Sequence, residues 1–417
     1  MSPPPIEIDA SALPPLGMPP EDFLRDYWQK RPLLIRNAFP GFESPIDPED
    51  LAGLACEDGV LARIVAHERA KDKWMLRHGP FPEEMFPELP DHDWTLLVQD
   101  VDKWDADIAA LLPHFDFLPR WRIDDVMVSF AAPGGSVGAH VDQYDVFLLQ
   151  AQGHRRWQID DRPDPPVHYR LDTELRLLQR FDPTHEWVLG PGDMLYLPPG
   201  VPHHGVAEDA CLTFSVGMRA PSAAELMGDW VDAMIAGADD ELRYRDPDLA
   251  PAKDPNEIDA DANEIDVSAM SRVVEALNLL RMRDPDLLGD WFGRFITTYR
   301  VGATAAPGDN TRSRIEIEWD LQQGGTLQRH PWTRMAWRQA ADGDGGQARL
   351  YVAGADHPLP AADASRIAAA PIIDGGLYQD LSETGRDLLM DLLTQGHYRL
   401  QLVDEDLLNT GTEPEPQ

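Results

Sequence analysis

Cysteine is almost absent from the 417-residue chain: Cys56 and Cys211 are its only two. That excludes a disulfide framework and a thiolate zinc site. Lysine is nearly as scarce, five among 36 basic residues, which reads as genome composition rather than mechanism. Positive charge as a whole is in short supply, since 73 acidic residues leave a formal net charge of -37. The acidic excess runs through most of the chain, so nucleic acid and anionic membrane should be repelled and basic partners attracted; solubility or salt adaptation alone would give the same balance. The first twenty residues, "MSPPPIEIDASALPPLGMPP", lack the basic start and apolar run of a signal peptide, and no segment is apolar for long enough to span a bilayer. A soluble cytoplasmic protein is the expectation.

A hydrophobic content of 43% is that of a globular protein, and 417 residues suit two or three domains. "EDFLRDYW" has helical spacing, and Pro32 then starts the extended "PLLIRNAF". From Trp94 to Gly217 short strand-like runs ("WTLLVQDV", "DDVMVSFAA", "YDVFLLQAQ", "RRWQI", "EWVLGPGD", "MLYLPPG", "CLTFSVGM") alternate with Gly/Pro turns, the pattern of a β-sandwich or barrel. After Pro221 the spacing turns helical in "SAAELMGDWVDAMIAG" and in the segment from Val267 to Val301, separated by an acidic, proline-punctuated linker over 246–266. "RIEIEW", "ARLYVAG" and "YRLQLV" then read as strands, with helices at Ala361–Ala369 and Glu383–Leu393, a mixture that suits a small winged-helix-like domain. The expected divisions are 1–220, 221–304 and 305–417. From Ser313 onward 17 acidic residues face 8 basic ones, which argues against DNA binding by the last of them.

The chemistry gathers in "GAHVDQYDVF", Gly138 to Phe147. On a strand, residues i and i+2 share a face, so His140, Asp142 and then Tyr144 should look into one cavity. A His hydrogen-bonded to a nearby carboxylate would explain that pair alone. In "GPGDMLYLPPGVPHHG", however, a Pro-Gly-Asp turn, a strand and a rigid Pro-Gly-x-Pro segment deliver His203 and His204, in the pattern of cupin barrels. His-x-Asp plus a distant His makes a 2-His-1-carboxylate set, which leaves adjacent iron positions open. Spacing leaves His203 and His204 as alternatives. An oxygenase using 2-oxoglutarate also needs a cation for the distal carboxylate, and "GHRRW" offers Arg155 and Arg156, one of them a surface residue.

"FLRDYWQKRPLLIRNAF", "WRIDDVMVSFAAPGGSVGAHVDQYDVFLLQAQGHRRWQI", "LYLPPGVPHHGV" and "FSVGMRAP" together resemble the bacterial ribosomal oxygenases of the JmjC type, which hydroxylate an arginine of a large-subunit ribosomal protein. The resemblance spans roughly residues 20–220, and beyond that it rests on architecture. It implies an α+β fold: a double-stranded β-helix (cupin/JmjC barrel), a helical dimerisation region and a winged-helix domain. It also implies that His140, Asp142 and His203 hold Fe(II), that Arg155 and Ser129 bind 2-oxoglutarate with O2 as second co-substrate, and that Asp125, Met127, Tyr144 and Ser215 receive the target side chain. Asp125 suits a guanidinium, with Met127 and Tyr144 sandwiching its alkyl stem; ordinary core packing would also account for those two. Two residues depart from the family pattern, the second histidine His204 and His154 at the head of the basic run.

The resemblance thus implies hydroxylation of the arginine β-carbon by a homodimer acting on a basic ribosomal protein. Histidine hydroxylation or demethylation would keep the chemistry and change the target. A non-catalytic acidic cupin scaffold binding a basic partner is the remaining alternative.

Overall fold

The computed structural model describes residues 4–238, 241, 243–247, 265, 267–281, 286–298, 305, 312–340 and 346–402. Two compact units meet in the sequence at Ala220 and Pro221. The strands of the first are β1 (Glu7–Asp9), β2 (Leu33–Arg36), β3 (Ala62–Glu68), β4 (Lys73–His78), β5 (Trp94–Val98), β6 (Ile123–Ala131), β7 (His140–Val141), β8 (Val146–Gln152), β9 (Arg155–Ile159), β10 (His185–Leu189), β11 (Met194–Leu197), β12 (Pro202–Ala207) and β13 (Cys211–Met218). Nine form one sheet in the order β1-β2-β11-β8-β13-β6-β5-β3-β4, and four form a second in the order β10-β9-β12-β7.

Period-two alternation decides what each face of the large sheet carries. Val126, Val128, Phe147, Leu149, Phe214 and Val216 point outward into a core shared with Phe23, Leu51, Val101 and Ile108. Those four come from helices α1 (Pro20–Asp26), α2 (Pro48–Leu54), α3 (Val101–Trp104) and α4 (Ala106–Ala109). Burying each such side chain contributes about 1.5–3 kcal/mol. The opposite face carries Ser129, Thr213 and Gln150 in register across β6, β13 and β8, then Met127, Ser215 and Leu148, then Asp125 opposite Gly217. This inner face looks onto the small sheet, because Arg155 of β9 reaches Ser129 and Thr213 from across the gap.

The structure corrects one expectation here. "GAHVDQYDVF" is not a single strand: β7 ends at Val141, and the chain turns before β8 enters the other sheet. Asp145 holds that crossing. Its buried carboxylate accepts from the Tyr196 hydroxyl at 2.7 Å and Gln29 Nε2 at 2.9 Å, and its carbonyl from Met218 N at 2.9 Å. Three donors from distant parts of the chain therefore fix the turn that β-propensity alone would have straightened.

The second unit contains α5 (Ala223–Ala236), α6 (Val267–Arg281), α7 (Leu287–Thr297), α8 (Arg314–Gln322), β14 (Thr326–Arg329), β15 (Met335–Gln339), β16 (Gln347–Val352), β17 (Ala355–Pro360), α9 (Ala361–Ala369), β18 (Ile372–Ile373), α10 (Gly375–Asp380), α11 (Glu383–Thr394) and β19 (Tyr398–Gln401). Leu327, Leu350, Ile367, Leu389 and Leu392 build its core. Asp290 of α7 accepts from the Tyr351 hydroxyl at 2.6 Å and from Arg338 Nη2 at 2.9 Å, tying that helix to the β15–β16 hairpin. "RIEIEW" is helical, against expectation. Ser313 and Glu316 form a capping box at its start, and Ile317 and Leu321 are buried while Ile315 and Trp319 face solvent. The apolar residues that matter there are four apart, not two. Most of the acidic linker at 246–266 and of the break near residue 305 lies outside the described residues.

Candidate active site

Gly138, Val201 and the β7–β12 pairing set the histidines. His140 and His203 are cross-strand partners, with ring centres 4.2 Å apart. Each directs Nδ1 at the carbonyl two residues earlier, His140 at Gly138 (3.0 Å) and His203 at Val201 (2.9 Å). A carbonyl can only accept, so both Nδ1 atoms carry a proton and Nε2 is the atom each ring can offer to a cation. Gly138 makes the approach possible: its φ is +81°, and a Cβ there would stand 2.7 Å from Leu177.

Asp142 completes the set. Its carbonyl accepts from Gly200 N at 2.8 Å, which ties it to the turn leading into β12. Its Oδ2 lies 3.8 Å from His140 Nε2 and 3.6 Å from His203 Nε2. The three ligand atoms fall within 4.8 Å of one another. Burial, helped by neighbouring His140, pushes the His203 imidazole down to about 4, so it is neutral at physiological pH. Two Nε2 atoms and a carboxylate oxygen converge on one point, the arrangement a divalent cation can coordinate. The donor set suits ferrous iron with positions left open. His204 looks the other way, edge-on to Phe181 at 6.1 Å, so the strand register decides between the two histidines.

Arg155 and Arg156 separate in the same manner. Arg156 pairs with Glu186 and Glu208 on the outer surface. Arg155 is buried, its guanidinium carbon 5.1 Å from the Trp157 ring centre. Nη1 lies 3.4 Å from Ser129 Oγ and from Thr213 Oγ1, while Nε has no partner. Among the described residues no carboxylate pairs with it, and burial lowers its pKa. An uncompensated buried charge costs several kcal/mol, so this guanidinium is built for an anion. Thr213 donates to Gln150 Oε1 at 3.1 Å, and Gln150 Nε2 donates to the carbonyls of Gln152 (2.9 Å) and Leu212 (3.2 Å). The Thr213 oxygen is thereby turned lone pair first toward Arg155.

The remaining expected residues share this cavity face. Met127 and Ser215 are cross-strand partners, and Asp125 lies two residues before Met127. Burial, and then the Asp100 carboxylate, raise Asp125 to about 7, although Asp100 N donates to its Oδ2 at 3.0 Å. Tyr144 stands at the rim, 41% exposed, in the turn after β7. Burial and the carboxylates of Asp142 and Asp125 push its phenol up, and Arg63 opposes them. Sequence reasoning left out Thr213, Gln150, Trp157 and Gly205. Gly205 and Thr213 each lie two residues from an expected site residue on the same strand, so alternation was the signal that could have found them.

Residues 110–226 match the JmjC domain family, and residues 279–399 match the ROXA-like winged helix. The chain is 39% identical over 308 residues to the ribosomal protein uL16 3-hydroxylase of Escherichia coli, covering 74% of this chain and 79% of that protein. It is 42% identical over 239 residues to a probable ribosomal oxygenase of Haemophilus influenzae, covering 56% of each. The crystal structure of E. coli YcfD superposes with a TM-score of 0.81 at 33% identity, over 93% of this chain and 99% of that one. The chain belongs to the family of JmjC-type ribosomal oxygenases. A structure of YcfD with cobalt and 2-oxoglutarate matches this ribosomal oxygenase with a TM-score of 0.77 at 33% identity, over 92% of this chain and 99% of that one. Its architecture is accordingly a JmjC barrel, a helical region and a ROXA-like winged helix. The departures from the family pattern are outside the metal set: His154 Nδ1 pairs with Asp209 Oδ2 at 2.8 Å beside the turn into β9.

Proposed function

We propose that this chain is an Fe(II)- and 2-oxoglutarate-dependent oxygenase that hydroxylates the β-carbon of an arginine in the large-subunit ribosomal protein uL16. The observation that carries the reading is the union, on one cavity face, of a His140–Asp142–His203 ligand set with the buried, anion-seeking Arg155. When bound, iron with 2-oxoglutarate and O2 supplies the oxidising power to place a hydroxyl on an unactivated carbon, with succinate and carbon dioxide as co-products. The chain's residues bind and orient. His140, Asp142 and His203 hold the metal; Arg155, steadied by Ser129 and Thr213, takes the distal carboxylate of 2-oxoglutarate. Asp125 pairs with the target guanidinium while Met127, Tyr144 and Ser215 line its path, fixing which carbon faces the metal.

The acidic surface attracts a basic ribosomal protein. A cytoplasmic location follows from that target, and no helix among the described residues is long and apolar enough to cross a membrane. A homodimer is supported by apolar residues left exposed on α5 and α6, among them Met227, Ile235, Met270, Val274 and Leu277. DNA binding is disfavoured by the acidic balance of the C-terminal unit. The domain divisions at 220 and 304 follow the change from barrel to helices to winged helix. Intact-mass analysis of large-subunit ribosomal proteins from cells with and without the chain tests the reading. A gain of one oxygen on a uL16 arginine is expected; the gain on histidine alone, or none, sinks it.

A further inference from the structure

Arginines near the cavity of the first unit are mostly neutralised. Arg69 pairs with Asp93, Arg156 with Glu186 and Glu208, and Arg170 with Asp72 and Asp172. Arg63 is different. In a chain with 73 acidic and 36 basic residues, its half-buried side chain makes no hydrogen bond or ion pair within the described residues.

Its place in the fold is set by register. Arg63 of β3 lies opposite Leu97 of β5, which lies opposite Ser129 of β6, so its side chain leaves the sheet on the cavity face. The alternate residues Ile64 and Ala66 pack into the outer core instead. Tyr144, exposed in the turn after β7, has its hydroxyl within electrostatic reach of Asp142, Asp125 and Arg63 together. The cavity face thus carries the carboxylate of Asp125 on β6 and, two strands away on β3, the unpaired guanidinium of Arg63.

We propose that Arg63 is a substrate-binding residue that holds main-chain carbonyl oxygens of the polypeptide segment whose arginine enters the pocket at Asp125. The assignment rests on the proposed function. A planar fork of five donors matches carbonyl oxygens, and in a basic protein carbonyls are present at every residue while carboxylates are scarce. Arg63 also places a positive charge where a second cationic side chain would otherwise follow the first. One arginine enters, and its neighbours are held outside.

Arg63→Ala, Arg63→Gln and Arg63→Lys, each prepared with iron, are to be compared with the unaltered protein against a basic peptide carrying the target arginine. Peptide Kd is read by fluorescence anisotropy without 2-oxoglutarate; peptide KM, kcat, the 2-oxoglutarate KM and peptide-independent succinate formation are read by mass spectrometry and NMR. Losing charge-assisted hydrogen bonds should raise peptide Kd and KM about tenfold or more in Arg63→Ala and Arg63→Gln. Arg63→Lys should recover part of the loss, with kcat within about threefold and the 2-oxoglutarate KM unchanged. Retained peptide-independent succinate formation shows that the variants are folded. An unchanged peptide Kd in Arg63→Ala, or an equal rise in the 2-oxoglutarate KM, overturns the assignment. Failure of the unaltered protein to bind or oxidise the peptide would instead remove the functional reading beneath it.

Discussion

Gly205, opposite Trp157 in the β9–β12 ladder, leaves room for the Arg155 side chain two residues along β9: a Cβ at 205 would stand 2.8 Å from Arg155 Nε and 2.8 Å from the Trp157 ring. The space that glycine leaves is the space the guanidinium occupies. Gly205→Ala should therefore displace Arg155 at an overpacking cost of about 1–3 kcal/mol, and raise the 2-oxoglutarate KM on the order of ten- to a hundredfold. Calorimetric titration with Co(II) should find metal affinity close to that of the unaltered protein. An unchanged 2-oxoglutarate KM would show that Arg155 does not hold the co-substrate.

The ligand set makes an equally sharp prediction. Asp142→Ala or His140→Ala removes one of three donors, and Fe(II) or Co(II) affinity should fall at least about a hundredfold. Succinate formation should disappear with it, while far-UV dichroism stays the same. A variant that keeps its biological activity without metal would favour the scaffold alternative.

Asp125 sets a pH dependence. Its folded-state value near 7 exceeds the unfolded carboxylate value of about 4, so between these limits the folded chain binds the extra proton and loses stability as pH rises. Asp125→Asn should then leave stability unchanged below about pH 4 and increase it above about pH 7, by about 1–3 kcal/mol once partial solvent access is allowed for. Substrate binding runs the other way, because a guanidinium needs the carboxylate form. Peptide KM should climb about tenfold per pH unit below 7, and in Asp125→Asn it should be high and flat. Urea melts and KM profiles from pH 5 to 9 check both halves.

Salt should weaken recognition of a basic protein. Peptide KM should rise several-fold, on the order of five, between low and moderately high ionic strength, with kcat nearly constant. A KM indifferent to salt would assign the charge of -37 to solubility alone.

Much of this arrangement was legible in the sequence because strands write their faces in alternation. Asp125, Met127 and Ser129 could be placed on one face from spacing, and the β6–β13–β8 register brings Ser215 and Gln150 beside them. The same rule misled at His140–Asp142–Tyr144, where β7 ends after Val141 and Asp142 is positioned by a bond from Gly200 instead. That partner comes from far along the chain, and local pattern carries no trace of it. "RIEIEW" failed for a different reason. Its alternating isoleucines imitate a strand, and the capping box from Ser313 to Glu316 outweighs them. The choice between His203 and His204, or between Arg155 and Arg156, needed cross-strand partners that the chain order does not state.

His140, Asp142 and His203 all lie on or just beyond strands of the four-stranded sheet, whereas the contacts of Arg155 with Ser129 and Thr213 join it to the nine-stranded one. The two capacities are therefore expected to fail in sequence. On the proposed function, loosening the sheets would part Arg155 from Ser129 and Thr213 while leaving the three ligand residues together. Injury to the sandwich is thus expected to cost co-substrate affinity before metal affinity, an order written into which strands bear which residues.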